Sequence, residues 1–180
     1  MPWIKSQDSR VGITHLCLDA LFLACAMLFS YVEHLFPIAS FIALPGIKLG
    51  LCNIIITICA IYLPGPDAAI VCFVRVLLSF LLFGNTSTFI FSLSGAVCSL
   101  LILFTLRRYV FRTISALALS VLSAVFHAIG QLLACAILFR PTTALAYAPV
   151  LIFAAIPTGV LTGLLCTLLF RRIPLLKQPE

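Results

Sequence analysis

The sequence predicts an all-α integral membrane protein, a bundle of about six transmembrane helices, and three observations predict it. Hydrophobic residues make up 63% of the 180 residues and charged residues only 9%, against roughly 45–50% and about 25% in soluble domains. Apolar runs recur along the chain at lengths close to the roughly 20 residues that a helix needs to cross a bilayer. Proline and arginine fall mostly between those runs, and Gly65 and Gly84 mark two of the breaks. So few charges cannot cover a water-soluble surface. Disorder is excluded as well, because its signature is low hydrophobicity. Six spans nearly exhaust the chain, so 1–180 reads as one transmembrane domain with no room for a soluble one.

The first span is expected over about 12–32. Lys5 and Arg10 precede it like the n-region of a signal peptide, but the apolar run exceeds a signal h-region and no A-x-A site closes it. It therefore reads as a retained helix. A connection with Pro37 and Pro45 leads to a second span over about 47–63. Pro64-Gly65-Pro66 breaks the chain before a third over about 67–83, and Gly84-Asn85-Thr86-Ser87 before a fourth over about 88–106. Arg107, Arg108 and Arg112 form a basic loop. The fifth span covers about 114–139 and ends at Arg140-Pro141. The sixth covers about 145–170 and carries Pro149 and Pro157, where kinks are expected.

The positive charges orient the bundle. With the N-terminus in the cytoplasm, that side collects Lys5, Arg10, the basic loop, Arg171, Arg172 and Lys177, while the far side clearly holds only Arg140. Cytoplasmic loops are enriched in Lys and Arg, so both termini are expected there, in a cytoplasmic (inner) membrane surrounded by lipid. The net charge of +6 is then largely a topology signal. No basic face with interleaved aromatics points to nucleic acid.

Ionisable groups inside spans are costly and usually face the bundle interior or a cavity. Here they are Asp19, Glu33, His34, Lys48, Arg75 and His127, joined by the amides Asn53, Asn85 and Gln131. In the orientation above, most fall in the outer half, as around a polar cavity open to the outside. Arg75 lies near mid-membrane, where either a structural partner such as Glu33 or a ligand must satisfy it. Lys48 either snorkels to the interface or joins the cavity. His127 and Gln131, four apart, share a face and suit either helix packing or ligand contacts. Asn53 and Asn85 suit turns and packing as well as a site. His15 and Asp19, also four apart, read as a structural pair. Ala20 and Ala24 form a small-xxx-small step that allows close approach of a partner helix.

Catalytic motifs are missing from the sequence. The two aspartates of the spans, Asp19 and Asp67, are lone residues, not the clustered carboxylates that hold Mg²⁺ on a diphosphate. There is no phosphate-binding G-x-x-x-x-G-K-[ST] loop and no nucleophile elbow. Eight cysteines are scattered singly without a C-x-x-C, which reads as small apolar packing. No cofactor and no metal site is expected.

Pro45-Gly46-Ile47-Lys48-Leu49-Gly50-Leu51-Cys52-Asn53-Ile54, Arg75-Val76-Leu77-Leu78, Leu82-Phe83-Gly84 and His127-Ala128-Ile129-Gly130-Gln131 resemble a family of small bacterial membrane proteins. That family carries two labels, Gx transporter and heptaprenyl diphosphate synthase component I. The synthase label implies prenyl transfer, which the sparse carboxylates do not support, so no enzyme is expected. More broadly the chain is similar to the substrate-binding S components of energy-coupling factor transporters. The resemblance implies capture of a vitamin-like or anionic small molecule, with a transmembrane coupling subunit and cytosolic ATPases as partners. It also implies Glu33, Lys48, Asn53, Arg75, His127 and Gln131 as substrate-binding residues, and Ala20 with Ala24 as the docking step for the coupling subunit. The alternatives are a membrane accessory to isoprenoid diphosphate or quinone synthesis, and a subunit of an electron-transfer assembly holding a quinone or flavin.

Overall fold

Helix ends follow from local chemistry in this computed structural model, which describes residues 9–35, 52–83, 86–106, 115–139 and 141–172. Among the described residues, six helices occur in order: α1 (Ser9–Leu35), α2 (Asn53–Tyr62), α3 (Gly65–Phe83), α4 (Thr86–Leu106), α5 (Ala116–Leu138) and α6 (Pro141–Arg172). Leu63 turns extended at the end of α2, as a residue before proline must. Pro64 then accepts the first bond of α3, from Ala68 N at 3.0 Å. The expected break at Pro64-Gly65-Pro66 is thus narrower. Gly65 and Pro66 belong to the first turn of α3, where a missing N–H costs nothing. Pro141 likewise opens α6, four residues ahead of expectation. Ser115 caps α5, its Oγ accepting from Ala118 N at 3.2 Å, the standard use of serine at that position. Thr86 and Ser87 belong to α4. Helix α6 runs through both Pro149 and Pro157.

Among the described residues, five helices are long and apolar enough to cross a membrane: α1 over His15–Leu35, then α3, α4, α5 over Leu117–Leu138 and α6 over Pro141–Leu168. Large apolar side chains stand outward on them, with Phe153 81% and Ile137 83% exposed. In water such a surface would be an aggregation hazard; in lipid it is the proper exterior. The chain is an all-α, multi-pass membrane bundle.

Helix α2 differs from the others. Every residue from Cys52 to Ile61 is buried, and α2 touches α1, α3, α4, α5 and α6. A largely apolar helix buried on every side belongs in a core, and α2 is the axis of this bundle. Two apolar clusters form around it. Ile54, Ile55, Ile58 and Cys59 pack with Ala26, Val71 and Cys166, while Ile56, Ala60 and Ile61 pack with Cys72, Val76, Leu103 and Leu119. A third cluster joins α4, α5 and α6 through Phe91, Ala128, Cys135, Leu151 and Ala155.

Glycines bring the outer helices together. A Cβ on Gly159 would lie 2.7 Å from Val121 Cα, and one on Gly163 2.7 Å from Leu117 Cα. This Gly-xxx-Gly step seats α6 on the backbone of α5, the small-residue packing typical of membranes. Gly130 similarly lies against the Ser94 carbonyl of α4, whose side chain donates from Oγ to Gly130 O at 2.5 Å.

Candidate functional site

Polar side chains within the bundle gather into three adjoining groups, and the start of α2 joins two of them. Cys52, the residue before α2, turns toward α1 and α3. Asn53, the first residue of α2, reaches α4 and α5.

The first group centres on Arg75, halfway along α3 and 1% exposed. Its Nη1 donates to Ser30 Oγ of α1 at 3.5 Å and to Cys52 Sγ. Cys52 lies 3.8 Å from Glu33 Oε2, Glu33 is close enough to act on the guanidinium charge, and the Cys72 thiol lies within hydrogen-bonding reach of the guanidinium. Glu33, the expected counterion, is therefore nearby and 7% exposed. The remaining donors of Arg75, Nε and Nη2, have no hydrogen-bond partner among the described residues. Ser79, one turn further along α3, lies with its Oγ 3.8 Å from Met27 Sδ.

The second group is a triangle. Asn53 Nδ2 donates to Ser123 Oγ at 3.0 Å, Ser99 Oγ donates to Asn53 Oδ1 at 3.0 Å, and the two serine hydroxyls lie 2.7 Å apart. All three residues are buried, Ser99 and Ser123 completely. One amide thereby satisfies hydroxyls from two other helices, which offsets the cost of burying all three groups.

The third group lies on α5. Gln131 Nε2 and His127 Nε2 are 3.0 Å apart, as residues four apart on one helix face allow. The imidazole lies across Gly95 of α4: a Cβ there would meet three ring atoms at 2.7–2.9 Å. Gly95 is thus the seat that lets the ring lie flat between two helices. Along α5, Ser120, Ser123, His127 and Gln131 occupy one buried stripe.

Ser99 and Ser123 stand seven residues from Leu106 and Ala116, about 10 Å at ~1.5 Å per residue, and they fix Asn53 at the same level along the bundle.

Of the expected site residues, Glu33, Asn53, Arg75, His127 and Gln131 are buried within these groups. Lys48 and Asn85 lie outside the described residues. Ala20 and Ala24 share the exposed side of α1, opposite Ala26, Ser30 and Glu33. His15 and Asp19, expected as a structural pair, are close enough for their charges to interact, while His15 Nδ1 and Asp19 Oδ1 have no hydrogen-bond partner among the described residues. Sequence reasoning missed Ser30, Cys52, Ser99, Ser123 and Gly95. The spacing of Ser92, Gly95 and Ser99 on α4, and of Ser120, Ser123, His127 and Gln131 on α5, is a signal that finds three of them, Gly95, Ser99 and Ser123. Among the described residues, no group of three or more His, Cys, Asp or Glu side chains could hold a metal ion.

No curated protein and no solved structure matches the chain. A family model does, over residues 22–169, a stretch that holds all three polar groups. By that match the chain belongs to the family described as heptaprenyl diphosphate synthase component I.

Proposed function

We propose that this chain is the substrate-binding membrane subunit of an energy-coupling factor type importer, capturing a vitamin-like or anionic small molecule. The observation that carries the reading is Arg75: a buried cation, held by one nitrogen and leaving two donors unused among the described residues. Ionisable groups this deep in a membrane protein are costly and typically mark a ligand or ion path. His127 and Gln131 would add directional hydrogen bonds, and Asn53 would link the ligand to α2, the axis of the bundle. Lys48 would contribute from the segment before α2. The chain has no ATP-binding motif, so energy would come from cytosolic ATPases acting through a transmembrane coupling subunit. Ala20 and Ala24 on the exposed side of α1 leave a shallow step for that subunit.

The test is affinity purification of the full chain from its native membranes in mild detergent. The reading predicts a coupling subunit and ATPases in stoichiometric amount. An Ala24→Trp variant should lose them, because a bulky ring fills the step, while keeping its own fold. Purification that never yields such partners contradicts the reading. The family's description favours a second one: a membrane accessory to isoprenoid diphosphate synthesis. A partner would then have to supply the metal-binding carboxylates, and a soluble prenyltransferase subunit would co-purify instead of ATPases. A quinone or flavin retained by the chain would instead mark an electron-transfer subunit.

A further inference from the structure

We infer that the Nε–Nη2 edge of Arg75 seats a carboxylate group of the captured molecule, a refinement that rests on the capture reading above. A guanidinium presents its donors along fixed edges. The protons on Nε and Nη2 point the same way and form a fork whose spacing matches two oxygens of one carboxylate. The protein uses the opposite side: Nη1 goes to Ser30 and Cys52, while Nε and Nη2 have no hydrogen-bond partner among the described residues. The side chain is 1% exposed, so water from the surface does not satisfy that edge. The neighbouring Cys72 thiol is within hydrogen-bonding reach of the guanidinium, but it is only a weak acceptor and makes no well-formed bond to Nε or Nη2. A buried charge with unused donors is unfavourable unless something takes them.

The electrostatic surroundings select among anions. Arg75 contributes one positive charge. The N-terminus of α2 begins beside it at Cys52, which makes no side-chain cap, so the first N–H groups of that helix add a partial positive charge of about one-half. Against these stands Glu33, next to Cys52. The sum is weakly positive, which one further negative charge roughly balances and two overrun. A carboxylate supplies one; a phosphate monoester supplies nearly two at neutral pH. The carboxylate also offers the flat, two-oxygen edge that the fork requires.

The experiment is thermal unfolding of the detergent-purified full chain, titrated with sodium benzoate and, at matched ionic strength, with sodium phosphate and sodium chloride. The expected result is a saturable rise of the midpoint with benzoate, and no more effect from phosphate than from chloride. Glu33→Gln removes a competing charge at nearly constant shape and should bind benzoate several-fold more tightly. Arg75→Lys keeps the charge but loses the fork, and should bind about tenfold more weakly. The inference is overturned if benzoate gives no saturable shift in either the wild type or Glu33→Gln up to its solubility. It is equally overturned if phosphate stabilises more than benzoate, or if Arg75→Lys binds benzoate as the wild type does. Its failure is separable from that of the capture reading. A co-purifying small molecule retained by Arg75→Lys removes the fork and leaves capture standing. Benzoate binding that meets every expectation, in a chain that carries no small molecule and recruits no ATPases, does the reverse.

Discussion

Asn53 shows how one side chain holds three helices. Its amide donates to Ser123 and accepts from Ser99, so truncation strands two hydroxyls in the core. Polar contacts between membrane helices are worth roughly 0.6 kcal/mol on average and at most about 1.7. Asn53→Ala should therefore destabilise the bundle by about 1 kcal/mol, measured by reversible unfolding in mixed micelles. The loss is partial because Ser99 and Ser123 keep each other, 2.7 Å apart. Gly95 acts differently. A methyl group there collides with the His127 ring, and overpacking of this kind costs typically 1–3 kcal/mol. Gly95→Ala should push His127 off its seat, lowering stability by about 2 kcal/mol and shifting the imidazole resonances of His127 in NMR spectra. Unchanged resonances would mean that the ring does not lie across α4.

At the scale of helices, the sequence specified existence more securely than ends or neighbours. Apolar runs of the right length can only be spans in a chain with so few charges, and five of the helices are long enough to cross. The breaks between helices are a few residues narrower than proline, glycine and serine alone suggest. Pro66 and Pro141 start helices as readily as they break them, and Thr86 and Ser87 continue α4 instead of ending a turn. Nothing in composition distinguished α2 as the buried axis, because an apolar run looks the same whether lipid or protein surrounds it. The candidate site was legible where a residue was expensive. Arg75, Glu33, His127 and Gln131 stand out in any apolar span, whereas Ser30, Ser99 and Ser123 are cheap enough to pass as packing. Gly159 and Gly163, too, were hidden by the ordinary frequency of glycine in membrane helices, although their spacing is that of a close crossing. Gly159→Ala should force α6 away from Val121 and lower the unfolding midpoint, at a cost of about 1–3 kcal/mol. Gly12→Ala, with nothing within 4 Å of the new methyl, should be neutral or up to about 1 kcal/mol stabilising. Equal effects at the two sites would contradict the proposed α5–α6 contact.

For the whole molecule, the central feature is the contrast between an apolar exterior and a polar middle. The outside is built for lipid, with large apolar side chains standing outward on α1, α3, α5 and α6. Inside, residues from α1 to α5 converge on the start of α2, and two donors of Arg75 have no hydrogen-bond partner there among the described residues. A bundle evolved only to be stable would replace such a cation with packed hydrocarbon, since buried charges are often a net cost even when paired. A ligand that completes its hydrogen bonds would offset that cost. The most direct measurement is native mass spectrometry of the gently purified protein, with collisional release and identification of whatever it carries. The account predicts an anionic, vitamin-like small molecule that is present in the wild type and absent from Arg75→Ala. A prenyl diphosphate or a quinone in its place, or a small molecule held equally well without Arg75, would contradict it.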